Sequence, residues 1–143
     1  MENKHYLLDT NILIEFIHGN NFVINKILNV GFDKCCMSVI SLHELYFGAY
    51  NAKNIKQAYY EQEMVRIGKL RERFFVLPLP EAADNYGQLK TTLIKKGQRV
   101  DEFDMIIGGQ ALAAGLTIVT DNVKHFNRMP GVNVENWASE TES

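Results

Sequence analysis

Four short runs recur along the chain, and each is apolar almost throughout instead of on alternate residues: His5 to Leu8, Lys34 to Met37, Phe74-Phe75-Val76-Leu77 and Leu116 to Val119. A strand with one wet face alternates polar and apolar residues. A strand covered on both faces does not. The segments between these runs carry apolar residues at helical spacing, so strands and helices take turns. That order predicts an α/β fold, a three-layer α/β/α sandwich around a central parallel sheet of four to five strands. Val132-Asn133-Val134 reads as the short edge strand.

The helices are bounded by ordinary stop and start signals. The first carries Ile12, Ile14, Phe16 and Ile17 and ends near Gly19; the second carries Phe22, Val23, Ile27 and Leu28 and ends at Gly31. Ser38 or Ser41 can cap a helix through Leu42, Leu45, Tyr46 and Ala49. A long charged helix is expected over Asn54 to Arg73, another over Glu81 to Lys96, and a third from Asp101 to Gly115.

With 143 residues the chain suits one domain, expected over 1–137, followed by a frayed acidic tail at 138–143. No apolar run approaches the roughly 20 residues that span a bilayer. The start of the chain lacks the apolar core of a secretory signal, so a cytoplasmic protein is expected. Cys35 and Cys36 are adjacent, so a strand points them to opposite faces, and they read as small buried apolar residues. A net charge of −2 does not exclude nucleic acid, because bound cations would offset acids gathered in one place.

Several acids do fall at related points of the predicted topology. Asp9 ends the first strand, Glu44 lies early in the helix after the second, Asp104 lies in the first turn of the helix after Asp101, and Asp121 follows the fourth strand. A parallel sheet presents its functional groups beyond the carboxyl ends of its strands. Carboxylates gathered there repel one another unless cations compensate, and all-oxygen donors suit Mg²⁺ or Mn²⁺ better than zinc. Each acid also has a plainer reading. Asp9 can cap the helix that starts at Thr10, Asp104 can be a helix-dipole acid, and Asp121-Asn122 can be a turn. Glu44, beside core-facing Leu42 and Leu45, has no capping task. Both readings of Asp9 stay open on the residues alone.

LLDTNILIEF, SVISLHELYFGA and EFDMIIGGQALAAGLTIVTDNVKHFNRMPGVNVENW, in this order and spacing, resemble the successive motifs of PIN-domain ribonucleases, and within them the VapC toxins of bacterial toxin–antitoxin pairs. The resemblance covers nearly the whole chain and includes the Thr120-x-Asn122 stretch that leads to Phe126, and the terminal Asn136-Trp137. It implies a Mg²⁺- or Mn²⁺-dependent endoribonuclease with metal ligands Asp9, Glu44 and Asp104. The fourth position of the family's pattern is held here by Asn122; charge favours Asp121 one residue earlier. Thr10, Asn11, Thr120 and Asn122 are then expected to orient ligands or water, with Thr10 and Asn11 also taking over the capping.

The expected chemistry needs no histidine, so His5, His18, His43 and His125 read as packing or surface residues. Lys95, Lys96 and Arg99, before the Asp104 helix, and Lys124 and Arg128, after Asp121, are the expected RNA contacts. His125 stands with Lys124 and Arg128 in that stretch, while Arg66, Lys69, Arg71 and Arg73 lie farther off on the long middle helix. Tyr46, Phe47, Tyr50, Tyr59, Tyr60 and Met64 suggest a groove for a partner helix. The resemblance implies that a VapB-like antitoxin docks its C-terminal segment between the helices near 42–50 and 55–70, and that the toxin forms a homodimer. Two alternatives stand beside this reading. A dehalogenase-like phosphatase needs an aspartate two residues after Asp9, where Asn11 stands. A PIN-like domain that binds RNA or a partner without cutting would be expected to have lost site acids.

Overall fold

The computed structural model describes residues 3–139. Five parallel strands form one sheet in the order β3-β2-β1-β4-β5: β1 Tyr6–Leu8, β2 Cys35–Ser38, β3 Phe75–Leu77, β4 Thr117–Val119 and β5 Asn133–Glu135. Seven helices connect them: α1 Thr10–Ile17, α2 Asn21–Val30, α3 Val39–Lys53, α4 Gln57–Arg73, α5 Ala83–Lys95, α6 Glu102–Ala114 and α7 Val123–Asn127. Leu8 lies beside Met37 and Val119 in register, and Leu7 beside Cys36 and Ile118.

The pleat sends these two rows to opposite faces. Leu8, Cys35, Met37 and Val119 join a core under α1 to α4, closed by Trp137. Leu7, Cys36 and Ile118 join a second core under α5, α6 and α7. Both faces are therefore dry over the central strands β2, β1 and β4, which is why these read as unbroken apolar runs. Each fully buried Leu or Ile contributes about 1.5–3 kcal/mol through burial. The two cysteines face opposite cores as free thiols, and burial pushes both up to about 12, so neither is a nucleophile at neutral pH.

The helix boundaries follow local chemistry. Ser38 caps α3, its hydroxyl accepting from Ile40 N at 2.9 Å. Asp101 caps α6, accepting from Phe103 N at 3.1 Å. Gly115 ends α6 in the left-handed region at φ 67°, where a Cβ would be strained. The approach of α5 to α6 needs Gly109, because a Cβ there would stand 3.0 Å from Tyr86 N.

Three expectations shift. The charged helix starts at Gln57 instead of Asn54, because α3 runs on to Lys53 and Asn54–Lys56 make the turn. Glu81 sits in a 3-10 turn, Pro80–Ala82, whose proline at the first position forces the tighter start, and α5 begins at Ala83. The short α7 is an addition to the expected elements; it folds because Phe126 anchors it in the second core. Ala138 is tied down, its carbonyl accepting from Asn20 Nδ2 at 3.1 Å. The last part of the expected tail, 140–143, lies outside the described residues. No helix among the described residues is long and apolar enough to cross a membrane.

Candidate metal centre

β1 lies at the centre of the sheet, with β2 on one side and β4 on the other, so the order of strands reverses there. Such a reversal opens a crevice beyond the carboxyl ends of the strands. Asp9 follows β1 into this crevice and Thr120 follows β4. The Asp9 backbone is still held by the sheet, its N–H donating to the Val119 carbonyl at 2.9 Å.

Asp9 is 5% exposed, and both its oxygens are engaged. Oδ1 accepts from Thr10 N at 2.9 Å, which makes Asp9 the cap of α1. Oδ2 accepts from Thr120 Oγ1 at 2.9 Å and from Asn11 Nδ2 at 3.2 Å. The capping thus belongs to Asp9 itself and not, as expected, to Thr10 and Asn11. One oxygen satisfies the helix while the residue remains a buried carboxylate. Its pKa is raised from 3.8 to about 6, chiefly by burial, with the bonds from Thr120 and Thr10 acting in the opposite sense and the charges of Asp104 and Glu44 adding to the rise.

Glu44 reaches the same field from α3. Its Oε1 lies 2.6 Å from Thr10 Oγ1, which lies 2.9 Å from Ser41 Oγ. One threonine carries one proton, so Thr10 gives it to Glu44 and receives the Ser41 proton. Burial raises the Glu44 pKa, and the charges of Asp104 and Asp101 add to the rise. Asp104, in the first turn of α6, is raised by burial and by Asp101, while its contact with His125 lowers it. The His125 Nδ1 stands 3.1 Å from Asp104 Oδ2 and 2.8 Å from Asn122 Nδ2.

Asp9, Glu44 and Asp104 are therefore electrically joined, though they come from three separate helix starts. Among the described residues no lysine or arginine forms an ion pair with any of them. Nor, among the described residues, do three or more Asp, Glu, His or Cys side chains stand close enough together to hold a metal ion as placed. Acids with raised pKa values and no lysine or arginine counter-charge have the donor chemistry of a hard divalent cation.

Asp121 stands apart. It is exposed, its carboxylate is raised by partial burial and by Glu15, and its backbone N–H donates to Asn11 Oδ1 at 3.2 Å. Asn122 lies deeper, its N–H bonded to Thr120 Oγ1 at 2.9 Å and its amide against His125. His125, read from sequence as a packing or surface residue, is instead in contact with Asp104. Its signal was the spacing Asn122 to His125, which brings two side chains together only once α7 is a helix. Ser41 was likewise expected only as a possible cap. Its partner Thr10 lies 31 residues away, so no local pattern announces the pair.

Lys95, Lys96 and Arg99 are exposed in and beside the turn between α5 and α6, and Lys124 is exposed on α7. Arg128 is partly committed, one guanidinium nitrogen donating to the Arg99 carbonyl at 3.0 Å. This bond ties the basic turn to α7. On the other side, a groove of about 430 Å³ runs between α1, α3 and α4; Thr10 and Glu44 line it together with Ile14, Leu45, Tyr59 and Arg66.

The sequence profile of the PIN domain matches residues 6–132. Ribonuclease VapC2 of Haemophilus influenzae is 34% identical over 133 residues, 92% of this chain and 97% of the relative. The tRNA(fMet)-specific endonuclease VapC of Shigella flexneri is 34% identical over 134 residues, 93% of this chain and 98% of the relative. Among solved structures, DNA-bound VapBC from Salmonella typhimurium superposes with a TM-score of 0.84 at 32% identity, covering 94% of this chain and 98% of that one. VapBC2 from Rickettsia felis, bound to a promoter DNA fragment, gives 0.81 at 29% identity, covering 92% and 98%.

Proposed function

The chain belongs to the PIN-domain family, in its VapC ribonuclease branch, and from that premise we propose that it is an endoribonuclease toxin restrained by a cognate VapB-like antitoxin. The observation that carries this reading is the placement of Asp9, Glu44 and Asp104 about the switch point of the sheet without a lysine or arginine counter-charge. These three would hold a Mg²⁺ or Mn²⁺ ion. A divalent cation so held supplies an activated water and offsets the negative charge that develops as a phosphodiester is attacked.

The protein's own contribution is orientation. Thr120 and Asn11 fix Asp9 Oδ2, the Ser41–Thr10 pair fixes Glu44, and His125 fixes one oxygen of Asp104. Partners of this kind typically matter by about 10–100-fold in metal affinity or activity. Asp121 is the outlying fourth candidate. Its exposed position predicts that Asp121→Asn keeps cleavage within about tenfold of the wild type, whereas Asp104→Asn does not; parallel rate measurements at saturating Mg²⁺ check this.

The exposed Lys95, Lys96, Arg99 and Lys124 form the RNA-facing side, with Arg128 bracing Arg99. Glutamate replacements at Lys95 and Lys96 are expected to raise KM several-fold. They should also flatten the slope of log affinity against log salt by about one for each phosphate left without its lysine, with kcat within a few-fold. Salt-dependent binding and steady-state cleavage read both effects. The groove between α1, α3 and α4 is where the antitoxin's C-terminal segment would dock, its apolar walls taking a helix and its inner end opening onto Glu44. A homodimer belongs to the same reading and is measured by light scattering.

The test is to incubate the purified chain with total RNA and sequence the cut ends, alone and with the antitoxin segment. Discrete cuts that the segment suppresses are expected. The names of relatives from Shigella flexneri and Salmonella typhimurium make initiator tRNA the first single substrate to assay. RNA that is bound but left intact would reverse the proposal in favour of a non-cleaving PIN-like domain.

A further inference from the structure

One buried amide joins the helix that carries Glu44 to the helix that carries Asp104. Gln110, on α6, is 1% exposed. Its Nε2 donates to the carbonyls of Leu77, at 3.0 Å, and Pro78, at 3.1 Å, where β3 ends. Its Oε1 accepts from the hydroxyl of Ser38, a residue with no exposed surface. That same hydroxyl oxygen caps α3 through Ile40 N. Both polar atoms of the Gln110 side chain are thus used, one on the end of β3 and the other on the cap of α3.

The two ends of this bridge stand equally far from the acids. Glu44 lies six residues after Ser38, and Asp104 lies six residues before Gln110. Each interval is about 9 Å of helix. α3 packs mainly into the first core and α6 into the second, and it is the start of α3, through Ile40, that joins the core holding α6. Among the described residues the Ser38–Gln110 bond is the one side-chain hydrogen bond between α3, with its cap, and α6. A residue needed only to fill space at position 110 would be apolar, like Ile107 and Ala111 beside it.

We propose that Gln110 is a positioning residue for the acid pocket. Through Ser38 it sets the height of α3 against α6, and so the spacing at which Glu44 and Asp104 can share one ion. The inference rests on the reading of those acids given above. It assigns Gln110 no contact with RNA and none with the ion.

The test is a calorimetric titration of Mn²⁺ into the wild type, Gln110→Met, Ser38→Ala and Val23→Ala, at a temperature where each is folded by circular dichroism. Val23 is buried on α2, in the core that α3 also joins but with no part in the Ser38–Gln110 bridge, and serves as the destabilised control. Gln110→Met is expected to weaken Mn²⁺ binding about tenfold, and Ser38→Ala to weaken it in the same direction, with Val23→Ala unchanged. The Mg²⁺ concentration for half-maximal cleavage should rise by the same factor, and saturating Mg²⁺ should return most of the rate. If Gln110→Met does not fold, Ser38→Ala carries the test, because it keeps the amide's bonds to Leu77 and Pro78. Binding within twofold of wild type in both bridge variants, or equal weakening in Val23→Ala, overturns the inference. A wild type that binds no Mn²⁺ overturns the acid-pocket reading, and the bridge with it.

Discussion

Asp9→Asn removes RNA cleavage and, in EDTA, makes the protein more stable. The two effects have one cause. Asp9 is buried, feels the charges of Asp104 and Glu44, and has its pKa raised from 3.8 to about 6. Its charged form is therefore costly in the fold without a cation, by about 3 kcal/mol at neutral pH when the rise is converted at 1.36 kcal/mol per tenfold in acidity. An asparagine keeps an oxygen for Thr10 N, so α1 stays capped. Its amide must displace one of the bonds now reaching Oδ2 from Thr120 and Asn11, which offsets part of the gain. A net stabilisation of about 1–2 kcal/mol is expected, seen as a rise of roughly 3–8 °C in Tm. Cleavage should fall by at least about 10³-fold, since losing an anionic ligand forfeits several kcal/mol of charge compensation. Melting curves in EDTA and single-turnover cleavage with Mg²⁺ read the two arms. An Asp9→Asn variant that cuts at the wild-type rate would leave Asp9 a cap and nothing more.

The same burial dictates how stability varies with pH. Asp9 has its folded pKa raised above its unfolded value, so its protonated form favours the fold. That contribution is complete below about pH 4 and is lost as pH rises through about 6. Glu44 and Asp104 shift in the same direction. In EDTA the protein should thus lose about 3 kcal/mol from Asp9 alone between pH 4 and pH 7. The total stability sums over every ionisable group of the chain. The clean measurement is therefore the difference between wild type and Asp9→Asn at each pH, which should widen with pH and level off above about 7. Saturating Mg²⁺ should reverse the slope, because the ion prefers the ionised acids. At a hundredfold over its Kd it adds about 2.7 kcal/mol. A difference that is flat from about pH 4 to about pH 7 would mean that Asp9 is not held at high cost.

The sheet was legible because both its faces are dry. Leu7 and Leu8 face opposite cores, and no polar residue interrupts the row, so the run announces a covered parallel strand. Asp9, Glu44 and Asp104 could be singled out by their places at a strand end and two helix starts. Their convergence depends on β1 lying between β2 and β4, an order that apolar patterning does not encode. Asp9 also shows that cap and buried acid are compatible, because one carboxylate has two oxygens and α1 uses only one. His125 and Ser41 escape a sequence reading for a common reason: each contact spans a long stretch of chain and is made by a side chain with an adequate local explanation. The charge argument that favours Asp121 counts its sign and not its direction. In the fold it is exposed, with Glu15 the acid that raises it, while Asn122 turns inward. Gln110 carries no sequence signal at all, since a glutamine on a helix is ordinary until its amide is found buried against Ser38 and β3.

The proposal that Asp9, Glu44 and Asp104 hold a divalent cation makes one direct demand. Purified protein is stripped with EDTA, offered initiator tRNA and total RNA, and then back-titrated with Mg²⁺. No cleavage in EDTA is predicted, with activity returning as Mg²⁺ exceeds the chelator and saturating thereafter. Cleavage that persists at full rate in EDTA would contradict the assignment of Asp9, Glu44 and Asp104 as the seat of the chemistry.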